Sequence, residues 1–273
     1  MLRLESETGW WLVTHVDHAH LAGAFAERWG NALFQAPRPR ARVLRAIWRH
    51  DDGWATRDLR PTTTRDGKPS AFSRELVGRY SAFEEIDLRD YLAVRDRAVR
   101  LLADQDPYAA ILVSMHTINL LADRADRTTI LPQDLPLLDR FLDQQRAYQQ
   151  QLREQLQDDP GIRPEDLSTP RLNDHFRLLQ ACDNLSLLAC VDYQTPAHLL
   201  HPLSCGDAQY RPVSVQPAGE RVFRLQPYPF DQPLLTFPLA MRHVEGKHFA
   251  SPHDLAQSLA AAAPHLATVT VCS

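Results

Sequence analysis

The sequence predicts a mostly α protein with a small β appendage, on three observations. Apolar residues recur at helical spacing through most of residues 1–196. Helix-start chemistry stands at the head of these runs, at Asp17, Asp87, Asp106-Pro107 and Ser168-Thr169-Pro170. After Pro196 the periodicity stops, prolines become frequent and short β-like segments take over. The division is a helical domain over residues 1–196, opened by a β-hairpin, and a β-rich appendage over 197–273 packed with it as one unit.

In order, Leu2 and Leu4 alternate with polar residues, and Trp10-Trp11-Leu12-Val13 follows, so two short strands flank Thr8-Gly9. Asp17 is read as the N-cap of a helix from His18 to Trp29, with His18, Leu21, Ala22, Phe25, Ala26 and Trp29 on one face. Pro37 and Pro39 open a second helix, whose stripe Val43, Leu44, Ile47, Trp48 runs into His50-Asp51-Asp52-Gly53. Residues 55–73 are irregular and polar. Helices follow from Asp87 to Gln105, Tyr108 to Arg124 and Asp134 to Gln157. The last long helix, Arg171 to Val191, is nearly all apolar around Asp183. In the appendage, 221–225, 234–237 and 268–271 read as strands and Pro252–Ala263 as a short helix, with the N-terminal hairpin completing a small sheet.

With 44% hydrophobic and 23% charged residues and a net charge of −4, the composition is that of an ordinary globular protein. It gives no signal for nucleic-acid or acidic-membrane binding. No apolar run approaches the ~18 residues a bilayer span needs, and the N-terminus lacks the apolar region of a signal peptide. Cys182, Cys190, Cys205 and Cys272 have no paired spacing, so a reduced, cytoplasmic setting is expected. A homo-oligomer is compatible with all of this.

The chemistry-bearing residues stand on the apolar faces. Two aspartates at the C-terminal end of a helix oppose its dipole, and a cation held by His50 and Asp51 gives them a reason to be there; the plain alternative is a frayed, solvated helix end. Gly53 is read as the residue that lets the helix stop in a conformation costly for others. A second pair, His253-Asp254, follows Ser251-Pro252 and reads as an ordinary first turn of a helix. His18 heads an amphipathic helix and is either a core histidine or a ligand, and His116 sits mid-helix among apolar residues with the same two readings. An unpaired ionised Asp183 would be costly, so it is protonated, paired with a buried arginine or bound to metal.

The order His18, His50-Asp51, Asp183, each in a helical context, resembles the HD-domain superfamily of metal-dependent phosphohydrolases. More closely, Asp17-His18-Ala19, His50-Asp51-Asp52-Gly53-Trp54, Asp183-x-Leu-Ser-Leu and Tyr228-Pro229-Phe230 resemble, nearly end to end, an uncharacterised bacterial family, domain of unknown function 3891. The wider resemblance implies an HD-like helical bundle and a divalent transition metal (Mn²⁺, Fe²⁺, Ni²⁺, Co²⁺ or Zn²⁺) on His18, His50, Asp51 and Asp183. It further implies hydrolysis of a small anionic substrate, a phosphate ester or nucleotide, by an activated water, with Asp52 or His116 as acid/base group. Trp54 stands where such enzymes often carry a lysine, and Asp52 is an added acid. Members with more histidine ligands are iron-dependent oxygenases, for which His116 and then His175 are the candidates here. A non-catalytic metal-stabilised or sensing module is the third reading.

Overall fold

A computed structural model of the chain describes residues 1–79, 87–125, 127–207 and 209–273. The chain opens with a hairpin, β1 (Leu2–Glu5) and β2 (Gly9–Val13), and turns into α1 (His15–Glu27). Thr14, not Asp17, caps α1: its hydroxyl oxygen accepts from the Asp17 amide, so the helix starts three residues earlier and carries His15 as well as His18. Next come α2 (Arg40–Arg49), α3 (Ala55–Asp58), α4 (Arg74–Arg79) and α5 (Leu88–Ala103), the last capped by Asp87. Asp106 and Pro107 start α6 (Pro107–Asn119), which loosens into a π-helical turn over Leu120–Arg124. Then α7 (Leu135–Gln155) and α8 (Thr169–Cys190) complete the helical part.

The rest of the chain is β3 (Ala197–His198), β4 (Leu203–Ser204), β5 (Tyr210–Arg211), β6 (Ser214–Gly219), β7 (Val222–Gln226), β8 (Leu234–Glu245), α9 (Pro252–Ala261) and β9 (Pro264–Cys272). One mixed sheet takes seven strands in the order β1-β2-β8-β9-β7-β6-β3, with only the β7–β9 pair parallel, and β4 and β5 form a separate ribbon. β8 is its spine. It pairs with β9 from Leu234 to Arg242 and with β2 from Arg242 to Glu245. Leu235, Phe237, Leu239 and Met241 alternate inward from it. Pro238 is tolerated in mid-strand because β2 reaches only as far as Arg242, leaving that stretch of β8 one open edge.

The protein is therefore α+β, which corrects the expectation of a mostly α, HD-like bundle, all-α but for a small appendage. The sheet was under-read because its long members carry Pro217, Pro238 and Pro264, which break the local strand pattern. Its pairing is also long-range, joining residues 9–12 to residues 242–245. A single apolar cluster runs through both parts, from Phe25 on α1 and Ile47 on α2 to Leu188 on α8 and to Phe223, Leu239 and Val271 in the sheet. The Phe25 ring meets Phe237 edge-on with centroids 4.8 Å apart.

This shared core makes a testable demand. Phe237→Ala should cost about 3–5 kcal/mol in urea denaturation, with helical circular dichroism and tryptophan fluorescence lost in one coincident transition. Separated transitions would mean that sheet and helices fold independently.

Candidate functional site

Helices α1, α2, α6 and α8 converge on one buried point. The α2 stripe ends at His50, which keeps helical geometry, and a 3-10 turn over Asp52–Trp54 follows. Gly53 is not in a left-handed conformation. Its role is close approach: a Cβ there would run into the Val94 carbonyl and Ala98 of α5. That contact brings Arg95 up to Asp51.

His18, His50, Asp51, His116 and Asp183 are each at most 5% exposed. The ligand-type atoms of His18, His50 and Asp51 lie within 4.8 Å of one another, as do those of His50, His116 and Asp183. His18 Nε2 is 3.0 Å from Asp51 Oδ2, and its Nδ1 is 2.9 Å from the Ser186 hydroxyl. His50 donates from Nδ1 to the Ile47 carbonyl at 2.8 Å. Its Nε2 lies 3.3 Å from Asp183 Oδ1 and 3.9 Å from Asp51 Oδ2, with no well-formed hydrogen bond among the described residues. His116 Nδ1 is 2.7 Å from the Gln180 side-chain amide, and its Nε2 is 4.0 Å from Asp183 Oδ2. Arg95 donates from Nη1 to Asp51 Oδ1 at 2.6 Å and stacks over Tyr91 and Trp54.

These contacts set the charges. Burial opposes protonation of His50, but Asp51 and Asp183 outweigh it and raise its pKa to about 9. Burial would likewise raise Asp51, yet Arg95, then His50 and His18, hold it well below the usual carboxylate range. Asp183 is also lowered against its burial, by His50 first. Burial, only partly offset by Asp183, pushes His116 down to about 3. Two carboxylates are thus balanced by one guanidinium and one imidazolium.

The cluster floors a cavity of about 60 Å³ that His18, Asp51, Arg95, His116 and Asp183 line, several times the space a single water requires. Asp52 is not among its lining residues. It is held by Arg49 Nε at 2.5 Å on the far side of the turn, which removes it from the acid/base role expected of it. His175 is hydrogen-bonded to the Tyr108 hydroxyl at 2.7 Å. His253 is exposed in the first turn of α9, next to Gln257. Trp54 stacks on His15, with ring centroids 4.1 Å apart, while Trp48 packs over Gly23 on the outer side of α1.

Two residues that the sequence reading passed over belong here. Arg95 continues the buried stripe Tyr91, Leu92, Ala98, Val99, and an arginine on an apolar face was the available signal. His15 lines the cavity and is held by Asp58, whose carboxylate lies 2.9 Å from Nδ1. Burial and the adjacent N-terminal ammonium lower the His15 pKa to about 4.

The pH dependence of the metal-free protein follows from these shifts. A raised His50 pKa stabilises the fold below its ordinary value of 6.5, and that contribution disappears as pH climbs through about 9. The lowered Asp51 and Asp183 contribute above 3.8 and are lost on acidification. Thermal melts should therefore peak between these limits, and His50→Gln should flatten the alkaline limb alone. Arg95→Ala, which strands Asp51, should cost about 3–5 kcal/mol; a cost under 1 kcal/mol would show that Asp51 is compensated elsewhere.

Comparison with known proteins adds one match. A family described as "Protein of unknown function (DUF3891)" matches residues 1–246. No curated protein and no solved structure matches the chain. With nine-tenths of its length covered, the chain belongs to the DUF3891 family.

Proposed function

We propose that this cluster holds a divalent transition metal and that the protein hydrolyses a small phosphate ester at it. One observation carries the reading. His50 Nε2, on a wholly buried ring, lies between Asp183 and Asp51 at 3.3 and 3.9 Å with no well-formed hydrogen bond among the described residues, a place that a proton fills poorly and a cation can take. A buried polar atom so left is costly unless something fills the gap, and imidazole and carboxylate donors suit Mn²⁺, Fe²⁺, Ni²⁺, Co²⁺ or Zn²⁺. The Ile47 carbonyl fixes the His50 tautomer and Ser186 orients His18, as second partners of metal-bound histidines do. The order of these residues along the chain, which resembles that of HD-type phosphohydrolases, supports the same reading.

His18, His50, Asp51 and Asp183 would hold the ion, with His116 at the edge of the set. When bound, it supplies a Lewis acid that acidifies water and draws charge from a phosphoryl oxygen. Replacing the His50 proton with a dication also leaves the cluster, with Arg95, one unit positive, which favours an anionic substrate. Arg95 stays beside the site as a cation: burial opposes its charge, but Asp51, which it holds, and the nearby Tyr91 and Asp183 outweigh that and raise its pKa. His116, kept neutral by burial, can hydrogen-bond to the departing oxygen, whose proton comes from the attacking water. The oxygenase reading needs further histidines, and His175 is engaged by Tyr108.

Protein purified without added metal should carry a divalent ion by elemental analysis, and should hydrolyse an aryl phosphate. His50→Ala and Asp51→Ala should lose both ion and activity, whereas Asp52→Ala and Asp254→Ala should keep them. Binding should release protons below about pH 9, as the ion displaces the one on His50. Full metal content in His50→Ala would sink the assignment.

A further inference from the structure

Above its charged floor the cleft changes character. Phe72, Leu76 and Val77 from the segment around α4, Leu120 from the π-helical turn, Leu187 from α8 and Leu200 after β3 line it. The polar side chains among them are largely engaged: His18 by Asp51 and Ser186, His15 by Asp58, Arg95 by Asp51. Arg124 adds a second cation to the lining. A nucleotide would bring ribose hydroxyls and base edges against these six apolar side chains, where among the described residues they would lose more water than they regain in hydrogen bonds, and such burial is penalised. An alkyl or aryl group would lose nothing.

We infer that the substrate of this site is a phosphate monoester with an apolar body, an alkyl or aryl phosphate, and that nucleotides are poor substrates. The inference rests on the hydrolytic reading for its chemistry and on the walls for its specificity. In the reaction, the water oxygen bonds to phosphorus as the bond from phosphorus to the ester oxygen breaks. That oxygen leaves as an alcohol with one proton of the water, and orthophosphate remains. Arg95 attracts the anionic head, while Leu120 and Leu187, half-buried in the cavity lining, receive the body.

The test uses the metal-loaded protein with methyl, butyl, hexyl and phenyl phosphates against nucleoside 5′-monophosphates. A parallel calorimetric series uses the matching alkylphosphonates, which cannot be hydrolysed. Specificity (kcat/KM) and phosphonate affinity should both rise about threefold for each added methylene. Leu120→Gln and Leu187→Gln should abolish that chain-length dependence in both series, so that the hexyl and methyl compounds are bound alike. Preferred hydrolysis of nucleotides would overturn the inference and leave the hydrolase reading intact. Chain-dependent phosphonate binding without hydrolysis of any ester would uphold the ligand class and remove the hydrolase reading. Affinity independent of chain length would overturn the inference outright.

Discussion

Two carboxylates, Asp51 and Asp183, flank His50 Nε2 at 3.9 and 3.3 Å in an apolar interior, and the surrounding structure is arranged to compensate them. Ionised groups in such surroundings cost several kcal/mol each unless they are paired. Each packing decision around the site answers that demand. Gly53 lets α5 close in, so that Arg95 reaches Asp51. His50 and His18 turn their rings between the two acids. Aromatic rings at Tyr91 and Trp54 back the guanidinium, where water would otherwise compete for it. The same compensation can be met by a proton on His50 or by a cation, and the proposed metal site rests on this interchangeability.

The sheet serves this centre indirectly. Among the described residues no strand lines the cavity, yet the inward residues of β8 fix α1 through Phe25 and Phe237, and α1 carries both His15 and His18. The N-terminal hairpin, paired to the far end of β8, sets where α1 begins. Position at the site is thus transmitted through a core that helices and strands share, and no helical bundle is closed on itself.

Much of the site could be read from the chain because its members break a local pattern. His50 and Asp51 terminate an apolar stripe, and Asp183 and His116 interrupt apolar helices; polarity on a buried face is visible without a structure. Arg95 meets the same criterion, as an arginine on the apolar face of α5. Asp52 misled for the opposite reason: adjacency in sequence is not adjacency in space, and an arginine three residues back captures it. The sheet was less legible. Strand pairing between residues 9–12 and 242–245 has no local signature, and prolines inside β6, β8 and β9 disguise the alternation that remains. The start of α1 turned on a single hydroxyl, since Thr14 and Asp17 are both good caps and only the packing of His15 decides between them.

The distance along the chain between partners has a consequence for how the protein is made. His18 and the Ser186 that orients it are 168 residues apart, so during synthesis α1, α2 and α5 leave the ribosome long before α8 exists. A nascent chain can form the Asp51–Arg95 pair early, but His50 then faces a gap that only Asp183 fills. At ordinary elongation rates of about 5–20 residues per second, the interval is on the order of ten seconds. Through that interval the half-built pocket offers histidines and a carboxylate to any passing cation without the geometry to retain it. Were the proposed ion bound, loading would wait until the last long helix docks, and the finished fold, not the emerging chain, would be the species that selects it.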